Sequence, residues 1–187
     1  MKKSILLILL CGSLCILSSC GKTEREIVED IVNTETVAEI ITQHSALGPC
    51  TILEAYDDAV HTKLIDLEAD RINNFMSFDY YWWDAESWAS YSLLYVFSGY
   101  PDDESPLFLT RIEFCSTDFN VFGITIGSTL LDAERIMEEN GFERTDANAA
   151  SFEKADMEIK IGFDHEDMTV DKIEIHVHTE YLGNRIY

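Results

Sequence analysis

With 187 residues, 47% of them hydrophobic, the chain holds enough apolar material for one moderate domain, or for two small units sharing a core. That excludes wholesale disorder. A formal net charge of -22 gives a soluble surface that repels phosphate backbones, which argues strongly against a nucleic-acid partner. Such a surface repels anionic lipid headgroups as well, so charge does not hold the polypeptide on a membrane.

The chain begins with a short basic segment, Met1-Lys2-Lys3, and an apolar run from Ile5 to Leu17 broken only by small or weakly polar residues. This is the layout of an export signal, and the run is too short to span a bilayer comfortably. Leu17-Ser18-Ser19-Cys20 follows: an aliphatic residue, two small residues and a cysteine. The motif resembles the lipobox of bacterial lipoproteins. That resemblance, confined to the signal and its flank, implies that residues 1–19 are cut away. It also implies that Cys20 carries a diacylglycerol and becomes the N-terminus. Each buried methylene contributes roughly 0.8 kcal/mol, so a few acyl chains such as palmitate anchor the protein stably. The implied location is extracytoplasmic, on the cell membrane or on an outer membrane where the host has one. An ordinary secretory signal with an incidental cysteine is the other reading.

Of five cysteines, Cys11 and Cys15 leave with the signal and Cys20 is used by the lipid. Cys50 and Cys115 remain, as one disulfide or as two separate buried thiols. Their spacing matches no zinc motif. A bond between them would close a loop of about 65 residues and stabilise by roughly 4 kcal/mol.

Residues 20–36 read as the lipidated cysteine and a polar tether, helical in its later part. Val37, Ile40 and Ile41 continue a helical period to about His44, and Gly48-Pro49 breaks it. An internal repeat then divides the chain into units 37–118 and 119–187. Thr51-Ile52 followed by Asp58-Ala59 aligns with Thr125-Ile126 followed by Asp132-Ala133. Leu93-Leu94-Tyr95-Val96-Phe97 aligns with Ile159-Lys160-Ile161-Gly162-Phe163, and Arg111-Ile112-Glu113-Phe114 with Lys172-Ile173-Glu174-Ile175.

Local chemistry agrees with that order. Thr51 with Glu54 reads as a capping box ahead of an apolar stripe of Tyr56, Val60, Leu64 and Leu67. Ser128 or Thr129 caps a second helix carrying Leu130, Ala133 and Met137, which Asn140-Gly141 ends. Met157, Ile159, Ile161 and Phe163 alternate with Glu158 and Lys160. Ile173, Ile175 and Val177 alternate with Lys172, Glu174, His176 and His178. The expected fold is α+β: two tandem helix-plus-antiparallel-sheet repeats, with the helices on one face of the sheet.

The run Phe122-Gly123-Ile124-Thr125-Ile126-Gly127-Ser128, then a helix, an Asn-Gly turn and antiparallel strands, resembles the units of the beta-lactamase-inhibitor-protein-like fold. The resemblance extends from about residue 48 to 178. It implies two units in tandem forming a curved surface, and a protein-binding or scaffold role. No inhibitor contact residue carries over, because the loops show no matching motif.

Each chemical constellation has a plain alternative. His176 and His178 share a strand face with Glu174, as zinc ligands or as the wet face of a strand; without a further fixed ligand, no metal is assigned. Asp164-His165-Glu166-Asp167 and Asp102-Asp103-Glu104 lack the spacing of a calcium loop and read as solvated turns. There is no GxSxG, HExxH, phosphate-binding glycine loop or paired-cysteine redox motif, so neither an enzyme nor a cofactor is expected.

Phe78-Asp79-Tyr80-Tyr81-Trp82-Trp83-Asp84 is the candidate surface. Alternation sends Phe78, Tyr80 and Trp82 to one face, and Tyr81 and Trp83 to the other. Tyr81, Trp83 and Trp88 are the expected contact residues, with Leu94 and Val96 as an apolar floor joined by Leu107 and Leu109. The alternative is that the two units or the N-terminal helix cover this patch. Three functions follow in order. The first is a non-catalytic surface lipoprotein that binds a basic protein or envelope polymer through its aromatic sheet face. The second is a metal- or small-molecule-binding lipoprotein using the His176/His178 face. The third is an envelope hydrolase without a recognisable motif.

Overall fold

A computed structural model describes residues 24–66, 68–73, 77–84, 89–97, 106–146 and 150–178. The signal, Cys20, Leu67, Trp88 and the Asp102-Asp103-Glu104 turn lie outside the described residues.

Helix α1, Glu24–His44, begins inside the span read as a tether. Thr34, Val37, Ala38 and Ile41 recur with helical spacing and are all buried, so this stripe packs down as part of the folded body. Thr34 Oγ1 donates to Asp30 O at 2.9 Å and accepts from the Asp156 backbone N–H at 3.2 Å, which ties the helix to a distant hairpin.

Helix α2 covers Asp58–Asp66 and buries Val60 and Leu64. Its cap is Asp57, whose Oδ1 accepts from Val60 N at 2.8 Å. The expected box at Thr51 and Glu54 is instead a turn ahead of the helix: Thr51 N donates to Glu54 Oε2, and Glu54 N donates to Thr51 O. Tyr56 likewise precedes the helix. Helix α3, Leu130–Glu139, is capped by Thr129 and buries Leu130, Ala133 and Met137. Asn140 is its C-cap, and Gly141, at φ +77°, supplies the left-handed step that follows.

The strands are β1 (Asp70–Asn73), β2 (Ser77–Asp84), β3 (Ala89–Phe97), β4 (Leu107–Phe114), β5 (Glu143–Asp146), β6 (Ala150–Lys154), β7 (Met157–Phe163) and β8 (Val170–Val177). They form one eight-stranded sheet in the order β1-β2-β3-β4-β8-β7-β6-β5, antiparallel throughout. The chain is therefore α+β. Each half runs from a helix through a four-stranded meander, and the halves meet where β4 pairs with β8.

Matching hydrogen bonds recur in the two halves. Leu53 N and Leu109 N bond to Leu109 O and Glu54 O, as Gly127 N and Val170 N bond to Val170 O and Ser128 O. Tyr56 N bonds to Leu107 O as Leu130 N bonds to Met168 O. Leu94 pairs with Arg111, and Gly162 with Lys172, so β3 matches β7 two residues away from the alignment read in the sequence.

The inward residues of the strands join buried residues of all three helices in one core. Leu107 and Leu109 belong to that core rather than to the outward face: their exposures are 9% and 0%. A β-bulge explains the reversal. Arg111 pairs with Leu94 and Leu109 with Tyr95, so Thr110 is the extra residue and the alternation flips there.

The consequence is measurable by urea unfolding. Leu109→Ala is expected to cost about 2–5 kcal/mol as a cavity in a closed core. Leu94→Ala, on the other face, is expected to cost clearly less. Equal losses would contradict the bulge.

Candidate functional site

Helix α2 ends in a left-handed turn. Glu68 takes φ +55°, Glu68 N donates to Ile65 O at 2.9 Å, and Ala69 N donates to Leu64 O at 3.2 Å. This places the small side chain of Ala69 at the edge of the inward face of β2 and β3. A cavity of about 310 Å³ opens there, walled by Leu64, Ala69, Tyr80, Trp82, Tyr91 and Leu93. Pro49, Asp118 and Phe119 complete it from two loops, with Tyr81 at its border.

Packing holds the loops in place. Tyr91 Oη donates to Leu47 O at 2.5 Å, and its ring lies 4.8 Å from that of Phe119. Gly48, at φ +89°, passes between them; a Cβ there would sit 3.0 Å from Tyr91 Oη and 3.2 Å from Phe119 Cε1. Ala46 and Asn120 exchange backbone hydrogen bonds, which joins the two loops. Asp118 is the only charged side chain on the cavity wall among the described residues.

A polar cluster fixes the far side of Tyr80. Tyr56 Oη lies 2.7 Å from Tyr80 Oη and 2.8 Å from His61 Nδ1, and His61 Nδ1 lies 3.3 Å from Tyr80 Oη. Burial, then the Tyr80 hydroxyl, pushes the Tyr56 phenol up to about 12. That phenol is neutral at ordinary pH and braces a wall rather than acting as a nucleophile. No sequence motif marks this cluster, because Tyr56, His61 and Tyr80 converge only through the fold.

On the opposite face, Tyr81 and Trp83 are 42% and 50% exposed. The pairing of β1 with β2 ends at the Asp70–Tyr81 pair, so Trp82 and Trp83 run past the end of β1. Asp70 beside Tyr81 pushes its phenol pKa upward. Leu94 and Val96 share this face, half-buried, but they do not lie under the aromatic pair. Tyr81 is opposite Ser92 and Trp83 opposite Ser90, whereas Leu94 faces Asp79 and Val96 faces Ser77. Helix α1 packs against β7.

His176 and His178 do stand together, their rings 5.7 Å apart. They approach Glu158 and Glu153 respectively, each at 3.9 Å. No group of three potential metal ligands forms among the described residues. Burial, then His178, lowers the His176 pKa. Cys50 is buried and Cys115 half-buried, and both are free thiols, so the disulfide alternative is not the arrangement seen. Burial pushes the Cys50 thiol up, away from reactivity. The turn at Asp164 to Asp167 uses its carboxylates on its own backbone, at Glu166 N and Thr169 N.

No family model matches the chain, and no curated protein matches it. A solved crystal structure of a cysteine-rich secretory protein from Staphylococcus aureus subsp. aureus Mu50 is similar at a TM-score of 0.40 and 13% identity. The likeness covers 63% of this chain and 42% of that one, so the chain spans less than half of that protein's length.

The Tyr56 environment sets a pH window. A phenol raised on folding stabilises the fold fully below its ordinary value of 10, and that contribution is lost as pH rises to about 12. Denaturant midpoints should therefore fall between those pH values in the wild type, and fall less in Tyr56→Phe. Equal falls in both proteins would contradict the assignment.

Proposed function

We propose that this chain is an extracytoplasmic lipoprotein held on a membrane through Cys20. Its domain serves as a non-catalytic binding module through the aromatic end of β2. One observation carries the binding role: Tyr81, Trp82 and Trp83, three consecutive large aromatics, are all exposed near the end of β2, the last two past the end of β1, beside an apolar cavity. Aromatic anchors on a rigid strand offer large contact area at small entropic cost. The net charge of -22 favours a basic partner and a salt-dependent association rate.

The Leu17-Ser18-Ser19-Cys20 motif supports the lipid anchor. The matched hydrogen bonds of the two halves support reading them as tandem copies of one helix-plus-sheet unit.

Two substitutions test this function. Cys20→Ala should move the protein out of the carbonate-washed membrane fraction; retention there would contradict the anchor. Trp83→Ala should change stability by no more than about 1 kcal/mol. It should weaken capture of an envelope partner by roughly thirtyfold, the effect of losing one central anchor. Unchanged capture, or a large loss of stability, would contradict the aromatic surface.

A further inference from the structure

The cavity beside β2 has a counterpart in the other half of the molecule, and there it is filled. Ala69 and Phe142 occupy matching places. Each follows a residue in the left-handed region, Glu68 at φ +55° and Gly141 at φ +77°. Each donates its N–H to the carbonyl of the last buried residue of the preceding helix, Leu64 at 3.2 Å and Met137 at 3.1 Å. The strands beneath match as well. Trp82 lies opposite Tyr91, which lies opposite Phe114; Phe152 lies opposite Ile159, which lies opposite Ile175.

The two places are filled differently. Phe142 is 3% exposed and its ring lies 5.9 Å from that of Phe122. Phe152 is 0% exposed. In the first half a methyl group replaces the Phe142 ring, and Trp82, at the place of Phe152, is 37% exposed. The cavity of about 310 Å³ lies against Ala69 and Trp82. A close-packed interior does not ordinarily leave so large an apolar space open. At that size the space falls at the small end of ligand pockets.

We propose that this cavity is a receptor for one large apolar side chain, aromatic or long aliphatic, presented by a basic polypeptide. The guest takes the place that Phe142 fills in the other half. This inference rests on the binding-module reading and names the chemistry of its partner. Two observations select the occupant. The filled counterpart shows that a phenyl ring suits a space of this construction. The charge around the cavity sets the flanks of the guest: Asp118 is the only charged group on the described wall, and the whole chain carries -22. A cationic segment is drawn to the mouth, and an anionic one is repelled.

The test uses the mature lipidated chain in a non-ionic detergent, titrated with short lysine-rich peptides whose central residue is phenylalanine or alanine. A third peptide keeps the phenylalanine and replaces lysine with glutamate. Trp82 and its neighbours report binding by fluorescence, and chemical shifts at Ala69 and Leu93 locate the guest. The phenylalanine peptide should bind at least about tenfold more tightly than either of the others. Ala69→Phe should fill the cavity from within, shift tryptophan emission to the blue, raise the melting temperature and remove the preference for phenylalanine over alanine. If Ala69→Phe fails to fold, Ala69→Leu serves the same comparison. Equal binding of the phenylalanine and alanine peptides would overturn the inference, and so would a preference that survives a folded, filled variant. A protein that loses its partner in Trp83→Ala but keeps it in Ala69→Phe would retain the binding-module reading and lose the pocket.

Discussion

The β4–β8 pairing is the joint on which the rest of the molecule depends. Ile112 faces Ile175 and Phe114 faces Ile173, and all four are fully buried, so the joint runs through the centre of the core. Glu113 faces Glu174 on the other side of the sheet. Like charges placed directly opposite repel each other across a strand pair. Lys172 offsets part of that cost, with its Nζ 3.5 Å from Glu113. Lys160 stands directly opposite Glu174 as well, so the charges on that face are of mixed sign, and apolar burial on the other face holds the joint together. Several buried aliphatic and aromatic side chains contribute more than one half-exposed carboxylate pair removes.

With the sheet made continuous, the differences between the halves lie in their cover. In the second half, Met137 and Phe142 close over Phe152, Ile159 and Ile161, all buried. In the first half, Leu64 and Ala69 leave Trp82 open, and the strand carrying it runs past the end of β1. The polar cluster of Tyr56, His61 and Tyr80 braces the remaining wall. One core therefore runs through both halves, closed under α3 and carrying a cavity beside β2.

Much of the fold was legible in the sequence, because hydrophobic alternation and the Asn140-Gly141 stop are local signals. The inward set of β8, the residues buried by α3 and the order of elements follow directly from them. The reversal at Leu107 and Leu109 was not legible. A bulge at Thr110 inverts the alternation without any glycine to mark it. The start of α2 was displaced because Thr51 and Glu54 do bond to each other, as a capping box would, in a turn with no helix attached. Tyr81 and Trp83 were placed on their face by period two alone. The pocket depends on Ala69, an ordinary residue whose meaning comes from the ring missing beside it.

The central claim is that both halves form one cooperative sheet with a locally open end at β2. Native-state hydrogen exchange, read residue by residue, tests it most directly. A single sheet predicts that the protected amides of Ile112, Phe114, Ile173 and Ile175 exchange only by global unfolding, with one common free energy. It also predicts that Trp82 and Trp83 exchange through smaller, local openings. If β1 to β4 instead opens as a unit at lower free energy while β5 to β8 stays protected, the halves are separate bodies and the account is wrong.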